Sequence, residues 1–288
     1  MKKSKRRKLD VVVISDVHLG TYGCRAKELL NYLKTIQPRT LVLNGDIIDI
    51  WQFNKRYFPN SHMSVIKQIF SLLSSGTDVY YITGNHDEML RKFKGFRLGE
   101  FRIENKLILT LNRKKVWIFH GDVFDVTMKH SKWLAKLGGL GYDVLIVINT
   151  VMNWISERLG YGRISLSKKI KNGVKGAVKF INDFEKTTTD IAIENQFDYV
   201  VCGHIHQPQI KEIRNQKGKT MYLNSGDWIE NLTALEYHKN EWSLYEYDRD
   251  PLVLDIENKS EKKTPKDKKK ENEKIFDELL KEFQLKHM

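Results

Sequence analysis

The chain has 288 residues, 41% of them hydrophobic, and a formal net charge of +13 at pH 7. This length and apolar content allow one large core, or one core plus a smaller appendage. The two cysteines, Cys24 and Cys202, lie far apart without a CxxC pair, which excludes a disulfide framework and favours a reducing compartment.

Residues 1–8 form a basic tail, KKSKRRK from position 2, where a signal peptide would be apolar. The longest apolar stretch, 142–155, is interrupted by polar residues and is shorter than the roughly 20 residues of a spanning helix. We therefore expect a soluble cytoplasmic protein, or one held peripherally on the cytoplasmic face of a membrane. A nucleic-acid partner is not expected, because the basic residues lack interleaved aromatic residues.

Short runs rich in Val, Ile and Tyr alternate with helical patterns in the first part of the chain, which favours an α/β fold. Five runs read as buried strands: 9–15, 40–45, 78–84, 115–121 and 198–203. Two amphipathic helices are predicted over 25–36 and 63–75, and antiparallel strands over 219–248 around a turn at 238–240.

Between these elements, residues of about 125–185 turn helical, with an apolar and basic composition. We interpret this region as a helical lid inserted into a domain that spans 9–250. The alternative is a plain helical layer packed on the core. Residues 251–288 are predicted to be a charged tail that ends in an amphipathic helix at 275–285.

Every one of the five predicted strands is followed by Asp, Asn or His. The residues are Asp16 and His18, Asp46, Asn85 to Asp87, His120, and His204 and His206. Because strand ends converge on one crevice in α/β sheets, we expect these side chains to meet. Carboxylate, imidazole and amide oxygen suit Mn, Fe, Zn or Co. Seven of these side chains, all except His86 and Asp87, are too many ligands for one tetrahedral ion and fit two ions that share a carboxylate, for which Asp46 is the natural bridge.

In sequence order these residues resemble the pattern of the calcineurin-like metallophosphoesterases: D-x-H, G-D-x-x-D, G-N-H-D, a single H, and G-H-x-H. The resemblance implies two facing mixed β-sheets flanked by helices. It also implies one metal held by Asp16, His18, Asp46 and His206, and a second metal held by Asp46, Asn85, His120 and His204. Manganese is the first expectation for both ions, with iron or zinc as alternatives.

Two such cations would hold a water as hydroxide for attack on phosphorus. His86 resembles the catalytic histidine of the family, and Asp87 is predicted to position it. Asp49 and Asp122 are predicted to accept hydrogen bonds from the ligand histidines.

The closer resemblance, over about residues 9–248, is to the UDP-2,3-diacylglucosamine pyrophosphatases of lipid A synthesis. It is carried by SDVHLG (15–20), HGDVFD (120–125), the inserted region, and GHIHQP (203–208) followed by NSGDW (224–228). It implies hydrolysis of a lipid-linked or nucleotide-linked diphosphate, with Arg163, Ser167 and Lys171 as candidates to contact that diphosphate.

One position departs from that group, because His86 stands where its best-known members carry Arg in G-N-R-D. The alternative reading is therefore a phosphomonoesterase or phosphodiesterase that acts on a nucleotide or a phosphoprotein. A non-catalytic scaffold of the same fold is the third hypothesis, although every expected metal donor is present.

Overall fold

The computed structural model describes residues 6–50, 58–124 and 167–254, with side chains in the last range described from residue 178. The predicted lid up to residue 166, most of the basic tail and the C-terminal amphipathic helix lie outside these ranges. Within them, three helices are α1 (Ala26–Thr35), α2 (Asn60–Ser74) and α3 (Ser167–Glu194), and residues 251–254 are also helical. Short 3₁₀ turns span Glu88–Phe93, Asp122–Phe124 and Tyr247–Arg249.

The described strands form two sheets. The first contains β1 (Arg7–Ile14), β2 (Ile36–Asn44), β3 (Asp78–Ile82), β4 (Arg97–Leu98), β5 (Phe101–Glu104), β11 (Thr233–His238) and β12 (Glu241–Glu246), in the order β12-β11-β1-β2-β3-β5-β4. The second contains β6 (Lys106–Leu111), β7 (Lys114–Phe119), β8 (Tyr199–Cys202), β9 (Gln209–Asn215) and β10 (Gly218–Asn224), in the order β6-β7-β8-β10-β9. Both sheets mix parallel and antiparallel pairs.

The two sheets face each other, and alternation along β1 explains how. Val11 and Val13 point into a core shared with Ile118 and Val201 of the second sheet. Val12 and the residues in phase with it point the other way, into a second core beneath α1 and α2. Because side chains alternate along a strand, β1 supplies apolar residues to both faces of the first sheet. The predicted arrangement of facing mixed sheets flanked by helices is confirmed.

Helix α3 covers the outer face of the second sheet. Phe184 and Ala192 are fully buried there with Val200 and Tyr222. The helix continues to Glu194, beyond the end that the sequence predicts for the inserted region. From residue 178 onward the helix packs on the core, and the lid interpretation of the preceding part stays a prediction.

The predicted antiparallel segment at 219–248 divides between the sheets. β10 lies in the second sheet, parallel to β8, while β11 and β12 form a hairpin at the edge of the first. Lys239 and Asn240 form its two-residue turn with φ of 52° and 69°, the left-handed geometry that favours a tight hairpin. No helix among the described residues is long and apolar enough to cross a bilayer.

Candidate metal centre

The carboxyl ends of the central strands meet at one edge of the two sheets. β1, β2 and β3 run parallel in the first sheet, and β7 and β8 run parallel in the second. Several hydrogen bonds join the sheets here; for example, Asn44 Nδ2 donates to the Phe119 carbonyl at 3.0 Å, and the His204 N–H donates to Asp16 Oδ2 at 3.0 Å. These bonds hold the carboxyl ends of β1 and β2 against those of β8 and β7.

The first group of candidate ligands comprises Asp16, His18 and His206, whose donor atoms lie within 4.8 Å of one another. His206 Nε2 lies 3.2 Å from Asp16 Oδ1. These residues come from the loops after β1 and β8, one in each sheet. They are three of the four ligands that the family resemblance implies for one metal.

The second group comprises Asp46, His120 and His204, again within 4.8 Å. His120 Nε2 lies 3.3 Å from Asp46 Oδ2, and His18 Nε2 lies 4.0 Å from the same oxygen. Asp46 therefore stands between the two groups, the position that a bridging carboxylate requires. A third overlapping trio, His18, Asp46 and His86, also lies within 4.8 Å.

Several buried side-chain atoms at this edge lack a hydrogen-bond partner among the described residues, which bears on whether the site can hold metal ions. Asp16 Oδ1, His18 Nε2, Asn85 Oδ1 and His120 Nε2 are buried and lack a hydrogen-bond partner in the part of the chain that the structure describes. Within those ranges, Asp16 Oδ1 and His120 Nε2 have only the ion-pair contacts given above, so directed hydrogen bonds do not offset the desolvation cost of these atoms. All four belong to predicted metal ligands, and carboxylate, imidazole and amide oxygen are donors that divalent transition metals accept. The residues therefore fit the metal ions that the family implies.

The candidate ligands shift one another's pKa values. Burial raises the pKa of Asp16, but the neighbouring His206 outweighs it and brings that pKa down to about 2. For His206 burial lowers the pKa, yet Asp16 outweighs it and raises the value to about 9. Asp46 has a lowered pKa for the same reason, with His120 as its main partner. These shifts favour carboxylate beside imidazolium, a balance of charge that divalent cations would supply when bound.

The backbone at this edge is strained in a way that singles out the candidate ligands. Asp16, His18, Asp46, His204 and His206 all have positive φ, between 52° and 66°. Such conformations are uncommon outside glycine and persist where the surrounding structure enforces them, typically at functional sites. The fold therefore stores strain to aim these five side chains.

Two motif glycines are required by close packing around the same side chains. A Cβ on Gly84 would lie 2.2 Å from Asp46 Oδ1, and one on Gly203 would lie 2.5 Å from Asp16 Oδ2. Neither distance is sterically possible, so these glycines of G-N-H-D and G-H-x-H let backbone approach the candidate ligands.

Several residues contact the Nδ1 atoms of the histidines and so orient the rings. His120 Nδ1 lies 2.9 Å from the Asn44 carbonyl, which leaves Nε2 directed at Asp46. Asp49 Oδ2 lies 3.5 Å from His18 Nδ1, as predicted for an acceptor of ligand histidines. Asp227 Oδ2 lies 3.6 Å from His206 Nδ1, while Asp227 Oδ1 accepts backbone N–H groups of the following turn. The sequence analysis gives no role to Asp227 or Asn44. Asp227 lies within the NSGDW motif (224–228), which marks its loop, whereas nothing in the sequence marks Asn44.

The predicted pairing of His86 with Asp87 is wrong. His86 Nδ1 lies 2.9 Å from Asp49 Oδ2. Asp87 is fully buried and accepts hydrogen bonds from the Gly84 N–H, the Ile47 N–H and the Tyr81 hydroxyl at 2.6–3.0 Å. Residues adjacent in sequence point apart here, so Asp87 fixes the loop and Asp49 contacts His86.

Asp122 also differs from its prediction, because its carboxylate pairs with the Arg91 guanidinium. Of the predicted diphosphate contacts, Arg163 lies outside the described residues. Ser167 and Lys171 lie in the first turns of α3, where side chains are not described. These three stay predictions.

Comparison with known proteins identifies the class of protein. The model of the calcineurin-like phosphoesterase family matches residues 9–208. The chain belongs to this family and is a metal-dependent hydrolase of phosphoric esters or anhydrides.

The names of curated relatives specify a substrate, which the family model does not. The chain is 25% identical over 263 residues to a UDP-2,3-diacylglucosamine hydrolase of Blochmanniella pennsylvanica, covering 83% of this chain and 98% of the relative. It is 26% identical over 248 residues to the protein of that name from Wigglesworthia glossinidia brevipalpis, covering 80% and 92%. Among solved structures, the phosphoesterase Yfce from E. coli aligns with a TM-score of 0.42 at 15% identity, covering 83% of this chain and 93% of that one.

Proposed function

We propose that this protein hydrolyses a phosphoric anhydride such as UDP-2,3-diacylglucosamine, releasing UMP and a lipid X-type sugar phosphate, with two divalent ions as cofactors. The observation that carries the proposal is the placement of Asp46 between two groups of mostly buried donors, the donor atoms of each group lying within 4.8 Å of one another. The substrate class is supported by relatives of that name that align over more than 80% of this chain.

One ion would be held by Asp16, His18, Asp46 and His206, and the other by Asp46, Asn85, His120 and His204. When bound, the two ions would activate water as the nucleophile and neutralise the phosphoryl oxygens. Manganese is the first candidate for both, and iron or zinc would suit the same donors.

His86 is proposed to stabilise the developing charge or protonate the leaving oxygen. Its side chain is 28% exposed, in contrast to that of Asp49 at 1%, so it can reach a substrate while its Nδ1 stays on a buried carboxylate. Burial lowers the pKa of His86, but the hydrogen bond to Asp49 and the nearby Asp46 outweigh this and raise it. The raised pKa favours the protonated imidazole, which is the form that general-acid chemistry needs.

The second candidate function is a phosphomonoesterase or phosphodiesterase acting on a nucleotide or a phosphoprotein. The observation that favours it is His86 itself, since the resembled pyrophosphatase group carries Arg at this position. An imidazole delivers a proton to a leaving alkoxide, whereas a guanidinium remains charged and only pairs with phosphate oxygens.

Parallel assays of the manganese-loaded protein separate these functions. Release of UMP from UDP-2,3-diacylglucosamine in detergent would be compared with hydrolysis of p-nitrophenyl phosphate and bis(p-nitrophenyl) phosphate. The proposal predicts a kcat/KM for the diphosphate at least about a hundredfold above either aryl ester. Faster turnover of an aryl ester, with no UMP released, would favour the second candidate.

A further inference from the structure

An exposed surface of mixed apolar and basic residues follows directly after the candidate metal centre. Four apolar side chains within ten residues are largely exposed: Met89 at 57%, Phe93 at 56%, Phe96 at 47% and Leu98 at 61%. Single exposed apolar residues are ordinary, but a concentration of this kind marks an interaction site. We call residues 89–98 the apolar-basic surface.

This surface belongs to an ordered part of the fold. Leu90 packs against the core of the first sheet, and Arg91 pairs with Asp122. The Gly95 N–H donates to the Ile103 carbonyl at 2.8 Å, and β4 pairs with β5 at the sheet edge. The aromatic side chains are therefore held outward by a fixed backbone rather than exposed by fraying.

The apolar-basic surface carries positive side chains that are not engaged in ion pairs with other described residues. Lys92, Lys94 and Arg97 are interleaved with the apolar residues, and none of them pairs with a carboxylate in the part of the chain that the structure describes. The nearby Glu100 already pairs with Arg102 at 2.8 Å.

We propose that the apolar-basic surface docks this protein on an anionic lipid bilayer. Aromatic and aliphatic side chains interleaved with Lys and Arg are typical of surfaces that lie in the headgroup region, where rings insert and the long cationic side chains reach phosphate. A protein partner fits less well, because lysine is depleted from protein interfaces.

The docking site would place the metal centre at the membrane surface. Asn85 and His86 precede Met89 by only a few residues, and the Leu90 N–H donates to the Asp87 carbonyl at 2.9 Å. A diphosphate anchored by acyl chains would thus meet the candidate site without leaving the bilayer. Only this consequence rests on the proposed function; the docking itself does not.

Vesicle co-sedimentation of the full chain tests the proposal, using phosphatidylcholine vesicles with and without about 30% phosphatidylglycerol. The test variant is F93S/F96S, which keeps every charge, including those of residues 2–8. The matched control is M63S/F70S, which removes two exposed apolar side chains from α2. Hydrolysis of p-nitrophenyl phosphate reports folding and catalysis of each variant separately.

We expect the wild type and M63S/F70S to bind the anionic vesicles equally, and F93S/F96S to bind about tenfold more weakly with unchanged aryl phosphate hydrolysis. A second variant, K92E/K94E, should lose the preference for anionic over neutral vesicles. Equal binding by F93S/F96S and wild type would overturn the proposal, as would absence of wild-type binding. A concentration-dependent dimer that F93S/F96S abolishes would assign the surface to a second copy instead. None of these results depends on whether the diphosphate is the substrate.

Discussion

At the residue scale, the candidate site depends on buried groups that hold the histidines at fixed angles. Asp49 is 1% exposed and contacts both His18 and His86 through one carboxylate oxygen. Metal-bound imidazoles in proteins generally rely on such an acceptor for orientation. One carboxylate here serves a candidate ligand and the candidate general acid together.

Replacing Asp49 by Asn should therefore lower kcat by about tenfold to a hundredfold at saturating manganese and also weaken manganese binding. Asn keeps the shape of the side chain but removes the charge that stabilises both imidazoles. Steady-state kinetics and a manganese titration measure the two effects. Asp248→Asn, at an exposed position, is the control and should match the wild type. An Asp49→Asn enzyme with wild-type kinetics would exclude this positioning role.

The candidate donors could be predicted from sequence because each stands in a short motif directly after an apolar run. The groups behind them could not be predicted equally well. Asn44 acts through a backbone carbonyl, which every residue possesses, and Asp227 reaches His206 from a loop that is not next to it in sequence. The wrong pairing of His86 with Asp87 has a related cause, because adjacent side chains in a turn point in different directions.

At the element scale, the tight loops after the strands bring backbone and ligand side chains together. Gly84→Ala would place a methyl group 2.2 Å from Asp46 Oδ1. We expect this variant to lose most of its manganese affinity, because Asp46 must move. Gly23→Ala, whose Cβ would meet Ile229 at an ordinary 3.5 Å, is the matched control. Isothermal titration of both proteins checks the prediction, and equal affinities would contradict it.

Helix α3 supports the centre through its packing. Phe184 is fully buried, and its ring centroid lies 6.3 Å from that of His204. Phe184→Ala should cost about 3–5 kcal/mol of unfolding free energy through lost burial and a cavity. Urea denaturation measures this cost, with exposed Val178→Ala on the same helix as the control. A change below about 1 kcal/mol would mean that the helix contributes little to this core.

Elements with strong patterns were predictable, whereas weak ones were not. β1 ends in VVVI, β2 contains LVL and β8 reads YVVC, and α1 and α2 repeat apolar residues at helical spacing. β4 has only two residues, and β9 is a largely polar edge strand, so neither gives a clear signal.

At the scale of the whole molecule, the division into two sheets creates the site. A single sheet would deliver its strand ends along a line, whereas two facing sheets bring ends from opposite sides into one cleft. The sequence could not assign strands to sheets, because β10 and β11 follow each other closely and yet belong to different sheets. Only the resemblance to the family predicted two facing sheets.

The central claim is that these strand ends bind a pair of divalent ions that share Asp46. Titration of metal-free protein with manganese, followed by calorimetry and by activity in the same samples, tests it most directly. The account predicts two ions per chain, activity that rises with their binding, and loss of both in Asp46→Asn. A stoichiometry below two in active protein, or unchanged binding and turnover in Asp46→Asn, would contradict it.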